Sequence, residues 1–273
     1  MNRLFVVEKP IFRSSNSFLG RTKKKYREKK GGFSGTLDPF AGGNLIVAFG
    51  QYTKLFQYLP KTPKKYRAVL WFGAESETLD IEKISKIEDI PKFDLKLIQK
   101  TLDSFVGNFR YLPPKYSAKK IAGKRAYNLA RNGEAFQMNF VESEIYKIDL
   151  ITYRHPFLTF EAEVSEGTYI RSLGFEIAQK LGTSGSLSYL WRIAEGKFKF
   201  ENEKSLNPLD FLEFPENRYL GDTNDIFFGK KLKKEKFEKS EKGKYILKYE
   251  EFFSIIEIGD EVKYLLNKIS NFS

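Results

Sequence analysis

The sequence predicts an α+β fold, with a mixed body to about residue 220 and a small β-rich tail after it. Three observations carry this. Residues 64–72 and 157–164 alternate with the period of two that marks a half-buried strand, while residues 94–107 repeat their apolar residues with helical spacing. Strands and helices follow one another without strict alternation. Beyond the lysine-rich stretch KKLKKEKFEKSEK (230–242), the chain returns to short strand-like runs at 243–269.

KKYRAVLWF (64–72) sets Tyr66, Ala68, Leu70 and Phe72 on one face of a strand. DLKLIQKTLDSFVG (94–107) lines Leu95, Ile98, Leu102 and Phe105 along one helical stripe, with Asp94 as N-cap and Gly107 as stop. FLTFEAEV (157–164) returns to a strand with Leu158, Phe160, Ala162 and Val164 on one face, and IRSLGFEIAQKLG (170–182) reads as a second helix. The lysine-rich stretch 230–242 reads as a boundary or flexible loop, so the expected units are a body at 1–220 and a tail at 226–273. No internal repeat is visible.

With 273 residues and 41% hydrophobic side chains, the chain is long enough for a substantial core. It has no cysteine and one histidine, His155, which all but excludes thiolate nucleophiles, Cys or His metal cages and Ser-His-Asp triads. Catalysis is left to Asp, Glu, Lys, Arg, Tyr and hydroxyls. No run approaches 18 apolar residues, and MNRLFVVEKPIF resembles neither a signal peptide nor a membrane span, so the cytoplasm is the expected compartment.

The net charge of +12 is gathered in blocks. RTKKKYREKK (21–30) has seven basic residues against one acid, and KYSAKKIAGKRAYNLAR (115–131) has six against none, with Tyr116 and Tyr127 between them. Such lysines displace counterions from a phosphate backbone and tyrosines stack on unpaired bases, so a nucleic-acid partner is expected. A solvated basic surface would account for either block alone.

GGFSGTLDPFAGG (31–43) places one carboxylate, Asp38, in a segment otherwise glycine, hydroxyl or apolar. It fits neither phosphate-cradling glycine motif. A surface turn would use the same Asp-Pro and paired glycines. Pro39, however, biases Asp38 toward an extended backbone, and Leu37, Phe40 and Ala41 would bury the loop. A half-buried carboxylate then requires a cation or hydrogen-bond donors.

GTLDPFAGGNLIVAFGQYTKL (35–55) closely resembles the catalytic motif of the TruB-type tRNA pseudouridine synthases. VVEKP (6–10), KKYRAVLWFG (64–73), LPPKYSAKKIAGKRAYNLARNG (112–133), GTYIRSL (167–173) and YLWRIAEG (189–196) resemble other blocks of that family in order and spacing, over roughly residues 4–200. The resemblance implies a mixed, mainly antiparallel sheet, a shortened PUA-like RNA-binding barrel as the tail, and isomerisation of uridine 55 in the T-loop of tRNA. The base would be flipped from its stack, cut from its ribose, turned and rejoined through C5. No metal or organic cofactor is implied, and a monomer acting on tRNA is expected.

By the same resemblance Asp38 is the catalytic aspartate, attacking C1′ or C6, and Arg171 is its paired arginine. Tyr66 packs on the uracil and assists proton removal at C5, and Tyr169 and Leu190 line the base pocket. Each of these three would also serve as plain core packing. Lys9 and Lys54 are candidate phosphate contacts, with plain surface lysines as the alternative. Asp80, in ESETLDIE, is left without a role. Phe33 and Ser34 stand where the family commonly has histidine and threonine, so Phe33 is expected to be an aromatic platform rather than an acid or base. Two alternatives remain: a guide-RNA-dependent pseudouridylase subunit and a non-catalytic RNA-binding protein that refolds tRNA.

Overall fold

Both alternating segments become central strands in the computed structural model, which describes residues 1–271 apart from Ala118 and Ala122. The chain opens with β1 (Arg3–Lys9), α1 (Ser15–Lys25), β2 (Gly31–Ser34) and β3 (Gly42–Phe49), then makes a 3-10 turn at Gly50–Leu55 before β4 (Lys64–Phe72). A short hairpin of β5 (Ala74–Ser76) and β6 (Ile84–Ile87) leads to α2 (Leu95–Asp103) and β7 (Gly107–Tyr111). A smaller one, β8 (Lys120–Ile121) and β9 (Lys124–Arg125), leads to α3 (Ala126–Arg131). The body closes with β10 (Val141–Arg154), β11 (Phe157–Val164), α4 (Ile170–Lys180) and β12 (Gly185–Glu195). After it come α5 (Thr223–Phe227), β13 (Gly243–Lys248), β14 (Phe252–Ile258) and β15 (Val262–Ser270).

The main sheet runs β1-β3-β12-β4-β11-β10-β7, with β2 beside β3. Its ladders are antiparallel except for a brief parallel contact of β12 with β3, Trp191 opposite Gly42 and Arg192 opposite Gly43. Gly43 has φ +106°, and a Cβ there would lie 2.3 Å from the Arg192 carbonyl oxygen, so only glycine lets these two backbones meet. That contact brings the segment before β3 beside β12.

Tyr66, Ala68, Leu70 and Phe72 of β4 and Leu158, Phe160, Ala162 and Val164 of β11 turn into one core, covered by Ile98 and Leu102 of α2 and Leu173 and Ile177 of α4. Strand β3 is buried throughout. One of its faces joins Phe5 and Val7 under Phe18 and Leu19 of α1, and the other joins Leu4 and Val6 to Ile246, Phe253, Ile255 and Ile269 of the terminal sheet. Body and tail therefore share apolar surface, and the Tyr52 hydroxyl adds a 3.1 Å bond to the Ser270 carbonyl.

Helix α2 is capped by Asp94 as expected, with Oδ1 accepting from Lys96 N at 2.8 Å, but it ends at Asp103 rather than reaching Gly107. Ser104 caps it, Phe105 turns aside to pack on Phe109, and Gly107 (φ +102°) begins the next strand. Stretch 230–242 is not a free loop either, because Leu232 and Phe237 are buried in the tail core. Helix α1, read from sequence only as part of a basic block, lacks an apolar stripe. It forms on a Ser14 N-cap and the half-buried Phe18 and Leu19. Among the described residues, no helix is long and apolar enough to cross a membrane.

Candidate active site

The loop between β2 and β3 carries Asp38, and its apolar residues hold it down. Leu37, Phe40 and Ala41 are buried in the core under β4. Polar anchors grip its backbone as well: Ser15 Oγ donates to the Leu37 carbonyl at 3.0 Å and accepts from Leu37 N at 3.1 Å, and Arg13 N donates to the Pro39 carbonyl at 3.1 Å. With its neighbours fixed in this way, the Asp38 side chain stays 32% exposed.

Arg171 enters from the first turn of α4, almost fully buried, with Nε 2.9 Å from Asp38 Oδ2. Its other nitrogens are taken up behind the loop. Nη1 donates to the Thr78 carbonyl at 2.7 Å and to Asp80 Oδ2 at 3.2 Å, and Nη2 donates to the Tyr116 carbonyl at 3.0 Å. Asp80, buried, also accepts from the Thr78 hydroxyl at 2.6 Å and from Glu82 N at 3.0 Å. Burial pushes the Asp80 carboxyl up, with the Thr78 hydrogen bond and the Arg171 charge opposing it. One guanidinium thus joins two carboxylates, and the second, named from sequence without a role, gains one here. No local signal marks it, since Asp80 stands among Glu75, Glu77 and Glu82 and its partner lies 91 residues away.

Two clefts meet at Asp38. The smaller, about 270 Å³, is lined by Asp38, Arg171, Tyr66, Tyr169 and Leu190 together with Lys64, Glu166 and Arg192. The larger, about 730 Å³, is lined by Asp38, Arg171, Phe33, Asp80, Glu82, Tyr116, Tyr127, Arg125 and Arg131. The structure therefore gathers the five residues expected at the base around one cavity and puts Phe33 in the adjoining one, beside the second basic block. Tyr111, also unforeseen, steadies the turn at the smaller cleft's rim: its hydroxyl donates to the Gly167 carbonyl at 3.2 Å and accepts from Tyr169 N at 3.0 Å. Burial raises the Tyr169 hydroxyl above its ordinary range.

The two lysines part from expectation. Lys54 is exposed on the 3-10 turn and lines neither cleft. Lys9, read as a phosphate contact or a surface lysine, is wholly buried, and its ammonium donates to the carbonyls of Pro10 (2.9 Å), Arg13 and Pro39 (3.4 Å). Its place inside is fixed by carbonyls of the β1–α1 connection (Pro10, Arg13) and of the Asp38 loop (Pro39), so it is a staple between the two rather than a phosphate hook. Lys9→Met should lower unfolding free energy by about 2 to 3 kcal/mol, since the carbonyls lose a charged donor.

A pH signature accompanies that loss. Burial lowers the Lys9 pKa from 10.5 to about 8, so between those values the unfolded chain holds a proton that the folded one has released. This group then makes the fold more stable as pH rises through the window, and Lys9→Met should remove that increment. Denaturant unfolding of both proteins at pH 7.5 and 10 checks the sign.

Residues 23–170 match the model of the family described as TruB family pseudouridylate synthase (N terminal domain). The whole chain is 57% identical to tRNA pseudouridine synthase B of Sulfurovum sp. (strain NBC37-1), covering 99% of that relative. It is 54% identical to the protein of the same name from a Nitratiruptor species, with 98% of each chain covered. Among solved structures, a chain of a Cbf5-Nop10-Gar1 complex superposes with TM-score 0.56 at 26% identity, over 73% of this chain and 50% of that one. A chain of an H/ACA RNP bound to a substrate RNA containing 2'-deoxyuridine superposes with TM-score 0.61 over 99% of this chain and 85% of that one, and its 18% identity carries the fold alone.

Proposed function

The chain belongs to the TruB family of pseudouridylate synthases, and from that premise we propose that it isomerises the T-loop uridine of tRNA at position 55 to pseudouridine, with Asp38 as its catalytic carboxylate. The observation that carries this is the smaller cleft, where Asp38, Arg171, Tyr66, Tyr169 and Leu190 surround one cavity of about 270 Å³. A flipped uracil enters there between Tyr66 and Leu190, while Asp38 attacks at C1′ or C6 from beside the Arg171 guanidinium. The N1–C1′ bond breaks, the uracil turns within the walls, and C5 bonds to C1′, with the bond from Asp38 to the carbon it attacked breaking so that the carboxylate is regenerated. The C5 proton then leaves with Tyr66 assisting, and N1 gains one. The bound RNA closes over the cleft and, with the Tyr66 and Leu190 walls, keeps water from the detached base.

The larger cleft holds the nucleotides beside the flipped one, Phe33 serving as a stacking platform among Arg125, Tyr127 and Arg131. Residues 1–220 act as the catalytic body and 226–273 as a shortened PUA-like RNA-binding tail. The protein works as a cytoplasmic monomer without metal or organic cofactor. Mapping pseudouridine in a T-loop transcript treated with the pure protein and no guide RNA tests this reading. One pseudouridine at the expected uridine supports it, and an unmodified transcript refutes it.

The lysines of α1 should contribute through the phosphate backbone. Replacing Lys23, Lys24 and Lys25 together with Gln should flatten the slope of log affinity against log salt by roughly 0.7 to 0.9 for each lysine that meets a phosphate. Lys25 is paired with Glu203 at 2.6 Å, so its share is expected to be the smallest. A slope equal to that of the unaltered protein would assign this helix to solvent.

A further inference from the structure

A buried charged network beneath the smaller cleft is left unused by the mechanism above. Glu195, at the end of β12, has no solvent exposure; Oε1 lies 2.8 Å from Arg192 Nη2 and Oε2 lies 3.2 Å from Lys64 Nζ. Arg192 extends the contact, donating from Nη2 to the Gly35 carbonyl at 2.9 Å and from Nε to the Asn44 carbonyl at 2.8 Å. Four pieces of chain are thus joined through one carboxylate and its arginine: β4 through Lys64 and β12 through Arg192 on Glu195, and the Asp38 loop through Gly35 and β3 through Asn44 on Arg192.

Three of those pieces are the walls of the cleft. By the period of two along a strand, Lys64 shares a face with Tyr66 and Arg192 shares one with Leu190, and all four line the cavity. Gly35 leaves no slack, for its φ is +66° and a Cβ there would lie 2.8 Å from Glu195 Oε2 and 3.0 Å from Lys64 Nζ. Neither Glu195 oxygen has a well-aligned hydrogen bond, so charge rather than bond direction holds it. Apolar residues often fill a buried site at less cost in desolvation, and in some folds buried charges instead fix the placement of the chains they join.

We propose that Glu195 is a positioning residue for the isomerisation: through Arg192 and Lys64 it sets the distance between the Asp38 loop and the Tyr66 and Leu190 walls. The proposal rests on the reading of the cleft as the site of tRNA uridine isomerisation. Misplacing reacting groups by an ångström costs rate more than affinity, whereas general loosening of the fold lowers both.

Single-turnover pseudouridine formation and tRNA affinity are to be measured for the wild-type protein, Glu195→Gln, Glu195→Asp, Lys64→Met and the Glu195→Gln/Lys64→Met double variant, each well below its own unfolding midpoint. Both Glu195 variants should lose about 10- to 100-fold in rate while tRNA affinity stays within about twofold. The double variant should lose much less than the product of the single losses, because both changes break one network. Glu195→Asp retains the charge in a shorter side chain and supplies the answer where Glu195→Gln fails to fold. A folded Glu195 variant with the wild-type rate, equal losses of rate and affinity, or single losses that simply multiply would overturn the proposal. A wild-type protein that forms no pseudouridine would instead overturn the reading beneath it.

Discussion

Asp38→Asn should abolish pseudouridine formation, with a loss on the order of 10⁴-fold or more, while tRNA should still bind within a few-fold of wild type. The amide is nearly isosteric with the carboxylate but carries no charge to attack or stabilise the nucleoside. Binding survives because the loop is not held by the Asp38 side chain. Its grip comes from Ser15 on Leu37, from Arg13 and Lys9 on the Pro39 carbonyl, and from the burial of Leu37, Phe40 and Ala41. Filter binding and single-turnover assays on one preparation separate the two effects. Loss of binding together with activity would assign Asp38 to the architecture of the loop.

Arg171→Met strikes both fold and chemistry. The side chain that it replaces meets Asp38 at 2.9 Å and Asp80 at 3.2 Å and donates to the Thr78 and Tyr116 carbonyls. Its removal leaves a buried carboxylate without its cation, which should cost about 3 to 5 kcal/mol of stability. Turnover should fall by at least about 10³-fold even where the protein is fully folded, because Asp38 loses the charge that orients it.

The pH dependence of that variant is diagnostic. Burial already raises the Asp80 carboxyl above its ordinary value, and without Arg171 one of the influences opposing that rise is gone. A carboxyl raised on folding binds its proton more tightly in the folded chain, so its contribution to stability is present at acid pH and is lost as pH rises through the folded value. Arg171→Met should therefore gain stability relative to wild type as pH is lowered from neutrality, and denaturant midpoints at pH 5 and 7 measure it. A difference between the two proteins that does not change with pH would show that Asp80 is not left alone by the substitution.

What the sequence discloses and what it withholds divide along a physical line. Strands β4 and β11 were legible to the residue because alternation is a local consequence of one buried face. Asp38 stood out because its neighbours Leu37, Phe40 and Ala41 cannot remain in water, whereas Arg171 was reached only through the resemblance of GTYIRSL (167–173) to the family's arginine motif. Arg171 apart, the interior placement of the buried charges was not legible. Lys9, Asp80, Arg192 and Glu195 have the composition of solvent-facing residues, and their interior places follow from partners far along the chain, such as the Gly35 carbonyl 157 residues from Arg192. Helix α1 was hidden for a related reason: its basic sequence has no apolar stripe of its own and folds on a surface supplied by β1 and β3.

Release of tritium from C5 of the T-loop uridine separates isomerisation from mere binding, because joining C5 to C1′ expels that hydrogen and binding does not. A tRNA transcript labelled at C5 of its uridines is mixed with excess pure protein, without guide RNA, and solvent tritium is counted over a single turnover. Release equivalent to one uridine per tRNA is expected from the wild-type protein, none from Asp38→Asn, and none when the T-loop uridine is replaced by cytidine. Tight tRNA binding by the wild-type protein with no tritium released would contradict isomerisation.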